Sequence, residues 1–141
     1  MVTKITLLLL CANVLFAAEK KIILPAGAKP GGNYSPGILV DGTTLYILGQ
    51  VGQDSFGNIS KDFEVEVKQA LENVGAILKA AEMSPADVVS VQVYLTDAAT
   101  FQRMNTVYRD YFKEPRPTRT TVVVAKLVGA ASIEITVTAR K

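Results

Sequence analysis

The apolar positions of this chain follow two different periods, and the alternation between them outlines the fold. Between 62 and 82, Phe63, Val67, Ala70, Leu71, Val74, Ile77, Leu78 and Ala81 recur at three- and four-residue intervals, which predicts an amphipathic helix. Asp62, Glu64 and Glu66 occupy its first turns, where the helix dipole favours anions, and Ser84-Pro85 blocks continuation. From 88 to 95 the period shortens to two, with Val89, Val91, Val93 and Leu95 assigned to one side of a strand. Asp97 can cap a second helix from Ala98 to about Lys113 with Phe101, Met104, Tyr108, Tyr111 and Phe112 inward, ended by Pro115 and Pro117.

Thr120 to Ala125 is β-branched and reads as strand. In the last strand, Ser132 to Ala139, the apolar Ile133, Ile135, Val137 and Ala139 alternate with Ser132, Glu134, Thr136 and Thr138. Nearer the N-terminus, Ile38-Leu39-Val40 and Thr44 to Gln50 flank Asp41-Gly42, a hairpin signal. Lys20 to Tyr34, with its glycines and prolines, reads as an irregular arm. The predicted order is β-β-α-β-α-β-β, an α+β fold in which two helices cover one face of a sheet. The other face would carry Tyr46, Leu48 and Tyr94, too apolar to stay wet, so the pattern predicts association of several subunits through their sheets.

A different pattern occupies the N-terminus. Lys4 precedes an almost wholly apolar run from Ile5 to Phe16, followed by Ala17-Ala18-Glu19. A basic start, a short apolar core and small residues before a polar switch describe a secretory signal peptide over 1–18, which would leave a domain at 19–141, periplasmic or secreted, with no stable membrane insertion. An uncleaved apolar extension is the alternative; lipidation at Cys11 is disfavoured by Leu10 before it. Removing Lys4, the leader's one charged residue, takes the formal charge from +2 to +1.

Composition then narrows the chemistry. The 49% hydrophobic fraction suits a single globular domain of this length. Interleaved charges without a basic stripe give no expectation of a nucleic-acid partner. Histidine is absent, which removes histidine-based nucleophilic triads and His-ligated zinc; the one cysteine lies in the leader. Among the remaining residues, Arg119 follows the stiff turn Pro115-Arg116-Pro117-Thr118 and is either a carboxylate clamp or an exposed strand-end arginine. Glu134 is either a carboxylate that holds and deprotonates a water or a solvated acid on a strand face. Tyr34 could wall a pocket or simply pack, and Asn105 is polar amid aromatics.

Several of these residues form a familiar series. Tyr34-Ser35-Pro36, Gly49-Gln50-Val51, Gln69-Ala70-Leu71-Glu72-Asn73-Val74, Val88-Val89 with Val93, Met104-Asn105-Thr106-Val107-Tyr108, Pro117-Thr118-Arg119 and Ile133-Glu134-Ile135 occur in that order. From about Gly32 to Lys141 the chain resembles the YjgF/RidA family. The resemblance implies a chorismate-mutase-like fold, a homotrimer with sites at the subunit clefts, and hydrolysis of enamine/imine intermediates such as 2-aminoacrylate-like 2-imino acids without metal or cofactor. It implies a 2-iminobutanoate/2-iminopropanoate deaminase-like enzyme, with Arg119 clamping the substrate carboxylate, Glu134 positioning water, and Tyr34 and Asn105 lining the cleft. Thr121 would offer a backbone carbonyl to the water. A non-catalytic binding trimer and an endoribonuclease or translation inhibitor are the alternatives that the same resemblance carries. Departures from the family pattern are Leu48 where many members have serine, Thr121 for a common cysteine, Thr136 for a second acid and Val128 for a usual proline, with the approach from Tyr34 to Gly49 one residue longer.

Overall fold

The computed structural model describes residues 17–29 and 32–141; most of the expected leader, 1–16, lies outside the described residues. Six strands and two helices run in the order β1 (Lys20–Ile23), β2 (Gly37–Val40), β3 (Thr44–Val51), α1 (Phe63–Ala80), β4 (Val88–Leu95), α2 (Phe101–Tyr111), β5 (Thr118–Val123) and β6 (Ile133–Arg140). The strands form one mixed sheet in the order β1-β2-β3-β6-β4-β5. Only β4 and β5 are parallel, as their connection through α2 requires; every other pairing is antiparallel.

Both helices lie on one face, as the two apolar stripes predict. Val67, Ala70, Leu71, Val74, Ile77 and Leu78 of α1 and Met104 and Tyr108 of α2 are buried with Leu45, Ile47, Val91, Val93, Leu95, Ile133, Ile135 and Val137 of the sheet in a single core. Asp62 caps α1 by accepting from the Glu64 and Val65 backbone N–H groups. Asp41 and Gly42 both take left-handed φ, 48° and 67°, in the β2–β3 turn.

Three expectations change. The supposed irregular arm begins with β1, which pairs antiparallel with β2, Ile22 opposite Ile38; four residues in an edge strand are too few for alternation to register. Val89 does not share a side with Val91, Val93 and Leu95. A bulge between Val88 and Ser90 shifts the register against β6, so Val88 turns inward and Val89 outward. Ala98–Thr100 is a separate 3₁₀ turn, capped by Asp97, and α2 itself starts at Phe101.

Glu66, read in sequence as a helix-dipole anion, has a second role. Its side chain is 2% exposed, and Oε1 accepts from the backbone N–H of Ser132 at 2.6 Å and of Ile133 at 3.4 Å. This carboxylate therefore fixes the start of β6, two residues before Glu134. Gly52 gives it room, since a Cβ there would overlap the Glu66 main chain and side chain. Replacing Glu66 by alanine strands two donors in the interior. Glu66→Ala should lose about 3 kcal/mol of unfolding free energy in chemical denaturation; a loss under about 0.5 kcal/mol, the range of ordinary surface changes, would contradict this role.

Candidate active site

A β-strand alternates its side chains, so the register decides where Arg119 and Glu134 point. Val91 pairs with Arg119 on one side and Val137 on the other; Tyr94 pairs with Val122 and Glu134. Val91 faces the helices and is fully buried. Tyr94 lies three residues further along the same regular stretch and faces away. Arg119 therefore points to the helix side and Glu134 to the opposite face, about 10 Å apart along the strands and about 10 Å across two strand spacings. One protomer does not bring the two together. Each anchors its own cluster.

The arginine cluster is built by β5 and α2. The Arg119 guanidinium carbon lies 4.5 Å from the Tyr108 ring centroid and 5.7 Å from that of Phe101, and Nη1 is 3.9 Å from the Met104 sulfur. The aromatic faces hold the cation without neutralising it. Among the described residues, no carboxylate lies within ion-pair distance of it. Arg119 shares a cavity of about 420 Å³ with Asn105, Tyr108, Arg109, Arg116 and Pro117. Thr121, two residues on along β5, faces the same side; its Oγ1 and the Tyr108 hydroxyl are buried without hydrogen-bond partners. Unmet hydroxyls beside an uncompensated guanidinium suit a polar anion.

The glutamate cluster lies on the outer face. Between Ile47↔Val137 and Gln50↔Ile135 the β3–β6 register slips, so Leu48 and Gly49 together oppose Thr136 in a bulge. Glu134 folds over this bulge: a Cβ on Gly49 would overlap its carboxylate, so a side chain there would push the acid out of this position. Leu48 is 36% exposed on the same face, and its N–H donates to the Pro36 carbonyl at 2.9 Å. That bond ties the bulge to the segment carrying Tyr34, which is 69% exposed. Tyr46, 54% exposed, continues the apolar surface along β3.

The expected site residues thus fall into two groups, Arg119, Asn105 and Thr121 in one, Glu134 and Leu48 in the other, while Tyr34 stands two residues before the Pro36 that accepts from Leu48. Sequence reading assigned Tyr108 only to the core and quoted Gly49 only as part of a motif. The tyrosine's spacing, three residues after Asn105 and four after Met104, fits the inward stripe equally well; what the spacing does not reveal is its contact with Arg119. A larger groove of about 590 Å³ between α1 and α2, lined by Val65, Lys68, Leu71, Glu72, Val107 and Tyr111 among others, contains none of the expected site residues. Among the described residues, no three His, Cys, Asp or Glu side chains are gathered as a metal site would require.

The fold defines a class, a small α+β domain with two helices on one face of a mainly antiparallel sheet. The chain belongs to the YjgF/RidA family: the sequence pattern of the family described as Endoribonuclease L-PSP matches residues 26–141. It is 43% identical over 120 residues to a human 2-iminobutanoate/2-iminopropanoate deaminase, covering 82% of this chain and 86% of the relative. Identity is also 43% over 125 residues to a RutC family protein of Saccharolobus solfataricus, covering 86% and 98%. Among solved structures, RidA from an Antarctic Psychrobacter matches with a TM-score of 0.80 at 34% identity, covering 86% of this chain and 99% of the other. Escherichia coli TdcF with bound serine matches with a TM-score of 0.79 at 33% identity, covering 86% and 98%.

Two phenols with buried hydroxyls, Tyr108 in the arginine cluster and Tyr111 in the groove between α1 and α2, give the protein a pH signature. Burial pushes the Tyr108 hydroxyl above its ordinary value against the opposing pull of Arg119 and Arg116, and burial with the Glu72 charge pushes Tyr111 up to about 12. Both folded-state values lie above the unfolded one, near 10. Below pH 10 both states keep these protons, and the stability they confer is fully present. Above it the unfolded chain releases protons that the folded chain retains, so stability should fall as pH rises from 10 towards 12. Denaturation midpoints across that window check this, and replacing both tyrosines by phenylalanine should flatten the slope.

Proposed function

We propose that the protein hydrolyses reactive 2-imino acids to 2-keto acids and ammonia, in a site made by the Arg119 cluster of one protomer and the Glu134 cluster of a neighbour in a homotrimer. The observation that carries this reading is the opposite facing of the two residues. An arginine with no carboxylate partner and an acid folded over a glycine bulge each supply half of what imine hydrolysis needs. A patch that differs from its complement makes a head-to-tail contact, and such contacts close into rings. The exposed Tyr46 and Leu48 on the outer face are apolar surface that a neighbour would cover. The names of the deaminase relatives support the reaction class.

In this mechanism the Arg119 fork holds the substrate carboxylate by two parallel hydrogen bonds, and Asn105 and the Thr121 segment line the cleft. Glu134 accepts a proton from water as its oxygen bonds to the imine carbon. The C=N electron pair goes to nitrogen, which takes that proton back to give the carbinolamine. Glu134 then removes the carbinolamine hydroxyl proton and passes it to nitrogen, the C–N bond breaks, and ammonia leaves as the carbonyl forms. The imine carbon is already electrophilic, so orientation supplies most of the catalysis. Leu48 borders the acid.

Arg119→Ala should lower kcat/KM for freshly generated 2-iminobutanoate by about tenfold to a hundredfold, as expected for losing a charge-assisted hydrogen bond of about 1.5–3 kcal/mol. Glu134→Gln should keep substrate binding and lose turnover. Mixing the two impaired variants after dissociation should restore wild-type turnover at roughly one quarter of the sites, because a ring reassembles intact Arg119–Glu134 pairs across subunits. A site contained within one chain would show no rescue, and a wild type no faster than spontaneous hydrolysis would end the deaminase reading.

The second part of the proposal concerns location. Lys4, the apolar run from Ile5 to Phe16 and Ala17-Ala18 support export with cleavage near Ala18. Intact-mass measurement of the protein from cell fractions should find an N-terminus near Ala18 or Glu19 outside the cytoplasm; a cytoplasmic chain retaining residues 1–18 would refute it.

A further inference from the structure

The Arg119 cavity holds more positive charge than a simple imino acid uses. Arg109, in the last turn of α2, and Arg116, in the turn before β5, line the same cavity of about 420 Å³ as Arg119, with Asn105, Tyr108 and Pro117 completing it. No acid is among the lining residues. Among the described residues, neither Arg109 nor Arg119 has a carboxylate within ion-pair distance. Arg116 is partly engaged: its Nε donates to the Phe112 carbonyl at 3.1 Å and its guanidinium pairs with Glu114, whose own side chain is largely in water. The neighbouring Asp110 lines the other groove, between α1 and α2.

A concave wall of one sign concentrates field and selects anions. One carboxylate satisfies one guanidinium fork, leaving at least Arg109 unmatched. Tyr108, 3% exposed, lines the same cavity, and its hydroxyl is buried without a hydrogen-bond partner.

We infer that this cavity is built for a ligand with two anionic groups, so that the preferred substrates are dicarboxylic 2-imino acids. The 2-imino carboxylate lies on Arg119 and the distal carboxylate is met by Arg109, with Arg116 rimming the same wall. The inference rests on the deaminase reading for its reaction, and on the arginine cavity alone for its binding preference.

The test separates the two. Calorimetry with stable product analogues should show wild-type protein binding 2-oxoglutarate at least about tenfold tighter than 2-oxobutanoate, a preference that weakens with added salt. Arg109→Ala, which leaves the Arg116 turn intact, and the Arg109→Ala/Arg116→Ala double variant should each shrink that ratio, the double variant to near one. In turnover, 2-iminoglutarate should exceed 2-iminobutanoate in kcat/KM by a similar factor. Equal or weaker binding of 2-oxoglutarate, a preference that survives the double variant, or displacement of 2-oxoglutarate by a short oligoribonucleotide at lower concentration overturns the inference. If 2-iminobutanoate is hydrolysed without any dicarboxylate preference, the inference falls and the deaminase reading stands. A dicarboxylate preference with no imine turned over above the spontaneous rate supports the cavity's role and removes the deaminase reading.

Discussion

The two-residue repeat of a pleated strand separates the chemistry of this protein. Val91 and Tyr94 stand three positions apart in β4, an odd separation, so what pairs with one faces the helices and what pairs with the other faces away. Arg119 and Glu134 inherit that separation. Slipping β5 by one residue would turn Arg119 to the outer face, but it would also turn Thr118 and Thr120 towards α2 and withdraw the guanidinium from the ring of Tyr108. The register that gives the arginine its aromatic support is the one that keeps it from the glutamate of its own chain.

Each cluster is held by a device that costs the sheet some regularity. On β3 the bulge at Leu48 and Gly49 gives up a ladder position and leaves Gly49 bare, in exchange for a carboxylate lying close to the main chain. On the far side of the same strand pair, Gly52 makes room for Glu66, which clasps the first amides of β6. Two glycines three residues apart thus accommodate two acids on opposite faces, one that anchors β6 and one that β6 carries. The acid proposed to meet water is consequently mounted on a strand whose start is fixed from the interior, which favours a constant position for Glu134.

Much of this was legible in the sequence. Long, regular patterns translated directly: the α1 stripe, the strict alternation from Ile133 to Ala139, and Asp41-Gly42 at the hairpin. What escaped was set by tertiary pairing. The KKII segment at 20–23 is a strand because β2 offers an edge, and Val89 faces outward because the register against β6 slips there; neither is a property of local composition. For the candidate site, residue types singled out Arg119 and Glu134 with inert readings still open beside them, and the family resemblance supplied the roles proposed for them. Tyr108 was hidden because a buried tyrosine supporting an arginine and one merely filling a core have the same helical spacing. Gly49 and Gly52 were hidden because the need for glycine arises from acids far along the chain.

The incompleteness of the arginine cluster is itself a physical statement about its working state. A guanidinium stacked on an aromatic ring gains about 1–2 kcal/mol from the ring, whereas a buried hydroxyl without a partner forfeits about 1–3 kcal/mol. Tyr108, Thr121 and Arg119 together therefore leave polar demand that the rest of the chain does not meet. Proteins rarely keep such groups apart from water unless something else satisfies them. The helix-side core cannot supply that partner, because Val91, Val93 and Met104 surround the cluster with apolar surface. A carboxylate entering beside Arg109 and Asn105 can, and so can donors and acceptors from a neighbouring chain; stability of the assembled protein should for that reason be coupled to occupancy of the cleft.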